Sequence, residues 1–253
     1  MAEPHSDSSN HTGAWEWQAQ PQPKQFVYVP QCNQHIHSHW FKPHYWREQN
    51  AVMAVRVGRG KTYFIAHEGR CMVLRRYLRG GMVRHLTKDK FLYRGLQHTR
   101  VQREIDLLLF MREHGLNVPK PIAGWCKQAM FTYRNALLLE EIPQAQDFHH
   151  HLCQEPLAES LWYSAGQMVK QMHDLDIYHH DLNLHNILVD AKQAVWLIDF
   201  DRCEHRPQDN EAELWKAANI ARLKRSLDKE QLRMNEYYMD ESQWQAFLSG
   251  YHE

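Results

Sequence analysis

Residues Tyr178–Asn186 read Y-H-H-D-L-N-L-H-N and Ile198–Asp201 read I-D-F-D, and the reading of these two stretches decides the fold. Asp181 stands five residues before Asn186, which suits a loop that leaves a strand end, turns, and aims a carboxylate and an amide at one group. Asp199 comes eighteen residues after Asp181. Between them lie two apolar runs of strand length, Ile187–Val189 and Val195–Ile198, joined by Asp190–Ala194, and this pattern predicts a hairpin. The hairpin sets Asn186 just before one strand and Asp199 at the end of the other, where both can reach one metal ion. One carboxylate and one amide oxygen, completed by waters and substrate phosphates, suit the hard cation Mg²⁺. With Asp181 as base for an attacking hydroxyl and Asn186 and Asp199 as metal ligands, the three residue types are those that phosphoryl transfer requires.

Working outward, Leu157–Leu175 carries apolar residues at helical spacing, predicting a buried helix that feeds the loop and holds Asp181 rigidly. Upstream, V-G-R-G-K-T-Y-F at Val57–Phe64 lies between apolar stretches, and Gly58 and Gly60 would let backbone N–H groups approach ATP phosphates in a strand–turn–strand. No G-x-x-x-x-G-K-[ST] is present, which argues against a P-loop fold. An apolar strand at Cys71–Tyr77 ends in arginines where protein kinases have V-A-I-K; Arg75 is the first choice for reaching the nucleotide phosphates and Arg76 the second. Arg in place of Lys is a real departure, because a planar fork replaces a compact ammonium. Its expected partner is Glu104, on a helix that opens with a capping box at Thr99–Gln102 and closes at Gly115. A-L-L-L-E-E-I-P at Ala136–Pro143 reads as a strand running into a linker, whose backbone from Glu140 to Ile142 is the candidate adenine contact.

With these residues in view, the chain resembles the lipopolysaccharide kinase branch of the protein-kinase-like superfamily, over roughly Val52 to Leu227. The resemblance is carried by V-L-R-R-Y-L-R-G-G at Val73–Gly81, G-L-N-V-P-K-P-I-A at Gly115–Ala123, Y-H-H-D-L-N-L-H-N-I-L-V at Tyr178–Val189 and A-R-L-K-R-S-L at Ala221–Leu227. The first and last point to the members that act on 3-deoxy-D-manno-octulosonic acid (Kdo), while the catalytic segment is shared more widely. The resemblance implies an α+β, two-lobed kinase-like fold with a small β-rich N-lobe and a mostly helical C-lobe. It also implies ATP and Mg²⁺ as cofactors, transfer to the 4-hydroxyl of Kdo on lipid A, and a peripheral position at the cytoplasmic face of the inner membrane. The expected division is a polar, partly disordered segment at 1–34, an N-lobe at 35–142 and a C-lobe at 143–253. Two further departures from protein kinases stand out: Asp201 occupies the glycine position of D-F-G, and no A-P-E follows in the 52 residues that remain. That favours a small or lipid-borne acceptor. A small-molecule phosphotransferase of the aminoglycoside or choline type would share Asp181, Asn186 and Asp199. A non-catalytic scaffold of the same fold would tolerate Arg75 and Asp201 but leaves the three polar residues without a reason.

The 253 residues are 43% hydrophobic, enough for one two-lobed unit with a substantial core. No apolar run is long enough to span a bilayer, and Met1–Gln34 has no apolar core of a secretory signal. Five dispersed cysteines without C-x-x-C predict reduced thiols. Alternating His35, His37 and His39 and the run His149–His151 lack the partners of a zinc finger and read as surface histidines. Net charge is zero, yet residues 75–103 hold nine Lys/Arg and one acid, for a local balance of +8. Interleaved with Tyr77, Leu78, Met82, Phe91, Leu92 and Tyr93, this block suits an anionic, membrane-borne acceptor better than nucleic acid, for which no binding motif is present.

Overall fold

The computed structural model describes residues 14–32, 35–57, 60–78, 89–207 and 210–253. The N-terminal part is an eight-stranded sheet built from β1 (Trp15–Ala19), β2 (Gln25–Pro30), β3 (Val52–Val57), β4 (Lys61–His67), β5 (Arg70–Arg76), β6 (Phe91–Leu92), β7 (Pro121–Ala129) and β8 (Thr132–Glu140). Its order is β1-β2-β7-β8-β5-β4-β3, with β6 paired to the start of β8. The segment 1–34, set apart by its polar composition, thus contributes two antiparallel strands that extend the sheet through β7. The α+β expectation is met.

Both faces of this sheet are covered, which is why β8 reads as a continuous apolar run and not as an alternation. Ala136 and Leu138 face one cluster, with Phe41 and Trp46 from α1 (Pro43–Glu48) and the turn before it. Leu137 and Leu139 face the other, which includes Val101, Ile105 and Leu108 of α2 (Arg100–Glu113) and runs on into the C-terminal part. The strand period of two also separates the two arginines of β5. Arg75 shares the cleft side with Val73, whereas Arg76 is exposed beside Leu74. Trp15, Trp17, Trp40 and Trp46 pack as structural aromatics: Trp17 stacks on Tyr28 at 5.0 Å, and the Trp46 indole donates to the Trp40 carbonyl at 2.6 Å.

Thr99 does precede α2, but no capping box forms there. The Thr99 hydroxyl donates to the Leu96 carbonyl at 2.7 Å, and the Gln102 side chain is engaged by the Trp17 indole at 2.7 Å. The other end follows the sequence. Gly115 at φ +83° donates to Arg112 O and Leu116 to Met111 O, both at 3.0 Å, closing a Schellman turn over the buried Met111 and Leu116.

The C-terminal part holds β9 (Gln146–Asp147), α3 (Phe148–Leu152), α4 (Glu159–Asp174), β10 (Ile177–Tyr178), β11 (Ile187–Val189), β12 (Val195–Leu197), β13 (Glu204–His205), α5 (Ala212–Arg233) and α6 (Glu241–His252). The expected buried helix is α4, and the expected hairpin is β11–β12, in register Ile187↔Leu197. Helices α4 and α6 cross in backbone contact: a Cβ on Gly166 would sit 2.0 Å from Phe247 O, and one on Gly250 would sit 2.1 Å from Tyr163 O. Only glycine fits at that crossing. Among the described residues no helix is long and apolar enough to cross a membrane.

Candidate active site

The loop after β10 is locked by neutral hydrogen bonds. His179 is fully buried, and Asp181 N–H donates to its Nδ1 at 3.2 Å, so Nε2–H is the donor to Ile198 O at 3.1 Å. Burial holds this imidazole below its usual pKa, and the bond to Ile198 only partly counters that. From α5, Asn219 clamps the His179 backbone, accepting from its N–H and donating to its carbonyl, both at 3.2 Å. Asn183 and Asn186 each donate an amide N–H to Asp181 O at 2.8 Å, so the nitrogen of Asn186 is committed to the loop. Each such bond contributes about 1 kcal/mol, and together they fix where the Asp181 carboxylate stands. Arg222 of α5 reaches that carboxylate at 3.5 Å.

Opposite lies a charge network. Arg75 donates from Nη2 to Glu104 Oε1 in a short contact and from Nη1 to Asp199 Oδ1 at 2.8 Å, so its planar fork spans two carboxylates. Glu104 is 3% exposed and also accepts from the Tyr77 hydroxyl at 2.5 Å. Burial pushes its carboxyl up and the guanidinium pulls it back. Burial likewise opposes the charge on Arg75, but Glu104 and Asp199 more than offset it and raise its pKa, so the guanidinium stays charged. A second pair, Arg100 to Asp201 at 3.0 and 3.2 Å, ties the start of α2 to the residue after Phe200. Burial raises the Asp201 pKa while Arg100 lowers it.

Asp199 itself adopts φ +64°, a left-handed turn that Asp tolerates better than most residues. That turn leads out of β12 and leaves the side chain 41% exposed in the cleft. Asn186 lines the same cavity, and Ile198 N–H donates to Asn186 O at 3.0 Å, holding the ends of the hairpin together. A carboxylate and an amide oxygen fit Mg²⁺. Among the described residues no cluster of three or more His, Cys, Asp and Glu is gathered around a metal-sized gap.

The cleft between these two sides has a volume of about 590 Å³. Arg75, Glu104, Glu140, Ile142, Asn186 and Asp199 all line it, as do the apolar Val73, Leu139 and Leu188 that would sandwich a flat ring. Asp181 is not among the lining residues and stands beyond Asn186, half exposed beside Arg222. In the linker, Glu140 N–H is committed to Lys120 O and Glu141 N–H to Cys71 O, both at 2.9 Å. Gly60 stands at the β3–β4 turn, where a Cβ would come within 2.7 Å of Leu78 Cδ1, the movable end of a side chain, so packing alone does not require glycine there. Gly58 lies outside the described residues.

Sequence reasoning placed Tyr77 and Arg100 only in the basic block and assigned no role to Asn219 or Arg222. The last falls in the A-R-L-K-R-S-L stretch noted above for the resemblance, and that was the one available signal. Among the described residues the basic block does not form a single face, since Arg75 is in the cleft and Arg100 is paired to Asp201; Arg79, Arg84 and Lys88 lie outside the described residues.

A sheet with one bridging helix, a polar loop and a hairpin ending in a carboxylate, all converging on one cleft, define a protein-kinase-like phosphotransferase. The profile of the lipopolysaccharide kinase (Kdo/WaaP) family matches residues 43–251, and the chain belongs to that family. A protein of Photobacterium profundum named 3-deoxy-D-manno-octulosonic acid kinase is 41% identical over 211 residues, covering 83% of this chain and 87% of its own. Proteins of the same name from Vibrio vulnificus and Haemophilus influenzae are 39% and 38% identical, the latter over 85% of this chain and 90% of its own.

Proposed function

We propose that the chain transfers the γ-phosphoryl group of ATP to the 4-hydroxyl of Kdo on Kdo-lipid A, a step of lipopolysaccharide core assembly. The observation that carries this reading is the Arg75 fork, which joins Glu104 of α2 to Asp199 across the cleft that Asn186 lines. The acceptor identity is supported by the names of the relatives. In this reading adenine lies between Val73, Leu139 and Leu188 and meets the linker at Glu140 and Ile142. Arg75, held by Glu104, orients the phosphates, with Gly60 of the β3–β4 turn above them. Asn186 and Asp199 would hold Mg²⁺, which when bound neutralises charge on the phosphates. Asp181 accepts the proton of the attacking hydroxyl, and its fixed position supplies most of the advantage, since phosphoryl transfer depends chiefly on positioning and charge compensation. The acceptor is lipid-borne, so the enzyme works as a peripheral protein at the cytoplasmic face of the inner membrane. Mass spectrometry of lipid A carrying one Kdo, after incubation with protein and Mg·ATP, tests the proposal. A gain of one phosphate on the sugar is expected, and an unchanged mass would refute it.

A further inference from the structure

At one end of the large sheet β3, β5 and β7 finish and β2, β4 and β8 begin, as the registers Val57↔Lys61, Arg76↔Ala136, Ala129↔Thr132 and Gln25↔Lys127 require. That end has a consistent chemistry. Exposed cations Lys24, Lys61, Arg76, Lys90, Lys127 and Arg134 stand on or beside it. The last three residues of β1, β3, β5 and β7 and the first three of β2, β4 and β8 include no Asp or Glu. Among the described residues the one acid beside them, Asp89, pairs with Arg134 at 2.9 Å. At the opposite end stand Glu68, Glu140 and Glu141.

The same end projects large apolar side chains into solvent. Met130 and Phe131, in the β7–β8 turn, are each 77% exposed, Leu92 on the adjoining β6 is 57% exposed, and Val57 at the end of β3 is 75% exposed. Tyr93 N–H donates to Phe131 O at 2.9 Å, so Leu92 and the turn are held side by side. A monomer gains nothing from holding such residues in water at the tip of a hairpin. Apolar points set in a ring of cations match an anionic bilayer, where the cations meet headgroups and the apolar tips enter the acyl boundary.

We infer that this end of the sheet docks the protein on an anionic lipid surface, with Met130, Phe131 and Leu92 inserted and the surrounding lysines and arginines on the headgroups. Four of the residues involved, Lys24, Lys61, Lys127 and Arg134, lie outside the basic block at 75–103 and reach the surface only through strand order. The β3–β4 turn is at this end as well, so under the function proposed above a lipid-borne sugar meets ATP at its phosphate side. The inference rests on that reading for its purpose but not for its test.

The test is co-sedimentation of the full chain with vesicles of phosphatidylcholine alone or mixed equally with phosphatidylglycerol, neither containing acceptor. Binding to the mixed vesicles, fading with salt, is expected. Met130→Ser with Phe131→Ser, and separately Lys24→Glu with Lys127→Glu, should each weaken it by about tenfold or more. Both variants should phosphorylate a water-soluble, deacylated Kdo acceptor as the parent does. Undiminished vesicle binding by either variant overturns the inference. So does a parent that phosphorylates the soluble acceptor yet ignores anionic vesicles, or one whose apolar tip is covered in a dimer that the Met130/Phe131 variant disperses in sedimentation velocity. Vesicle binding without phosphorylation of any Kdo acceptor would sustain the surface and refute the proposed function.

Discussion

The two walls of the cleft fix their functional side chains by opposite means. On the sheet side, Arg75 and Glu104 hold each other and, across the cleft, Asp199 by charge, while the Tyr77 hydroxyl donates to Glu104, which is all but removed from water. On the helical side, the backbone of Asp181 is positioned through His179, Asn183, Asn186 and Asn219, every one of them neutral, and Arg222 reaches only its carboxylate, at 3.5 Å. A charged network is strong but has to be complete, since one missing partner strands a buried ion at a cost of about 3–5 kcal/mol. Neutral bonds contribute less each and fail one at a time. Under the proposed function, the charged wall is the one that receives ATP and metal, and the neutral wall is the one that holds the base.

The largest effect should come from the object that the neutral wall holds. Asp181→Asn keeps size and leaves the charged wall untouched, so turnover should fall by roughly 10² to 10⁴ while ATP affinity stays near its parent value. Asp199→Ala does the converse, weakening Mg·ATP binding measured by calorimetry. If Asp181→Asn weakens nucleotide binding as much as Asp199→Ala, the two walls do not divide the work as described.

Completeness of the charged wall is tested by a double-mutant cycle. Arg75→Ala and Glu104→Ala should each lower kcat/KM by about 10²-fold, and the double variant should be little worse than either single one, because each change already breaks the pair. Additive losses would mean that Arg75 and Glu104 act separately.

The neutral wall should yield more gently. Asn219→Ala leaves the His179 N–H and carbonyl without their clamp, at about 1–3 kcal/mol of stability. We expect kcat to drop by about tenfold and KM for ATP to stay constant. A rise in KM for ATP equal to the fall in kcat would place Asn219 in nucleotide binding instead.

This contrast also explains what could be read from the chain beforehand. The loop and hairpin that carry Asp181, Asn186 and Asp199 were legible because their geometry is set locally, and local spacing is what a sequence displays. Arg75 and Glu104 were read from their places in a kinase-like order, the strand that ends where protein kinases carry V-A-I-K and the helix that follows, and the two do pair in the structure, whereas Arg76 is exposed. Tyr77 and the Arg100–Asp201 pair were not legible, since they depend on how the sheet, α2 and the C-terminal part come to rest together. Asn219 was hidden for the same reason: nothing in α5 marks one asparagine as the clamp on a loop forty residues earlier. The strands at Trp15–Ala19 and Gln25–Pro30 were obscured by polar residues on the open side of β1 and in the turn between them. The supposed capping box shows the reverse error, a correct local motif whose Gln102 is taken by Trp17 from a distant strand.

The smallest expected effect concerns pH and the footing of the neutral wall. Asn219 Oδ1 already accepts from His179 N–H, so His173 Nε2–H is its second donor at 3.3 Å, and His173 Nδ1 accepts from the Tyr251 hydroxyl at 2.8 Å. The imidazole is therefore neutral, and burial depresses its pKa from 6.5 to about 4. A histidine with a lowered folded-state pKa binds its proton more readily when unfolded, so stability is full above pH 6.5 and is lost as pH falls from there towards about 4. The shift corresponds to roughly 3 kcal/mol at the acid end. Thermal melts across that window should show a falling Tm in the parent and a shallower fall in His173→Gln, whose amide can still bridge Asn219 and Tyr251 without taking a proton. Equal slopes would mean that His173 does not carry the acid sensitivity; the buried carboxylates Glu104 and Asp201, whose pKa values are raised by burial, would act in the opposite sense.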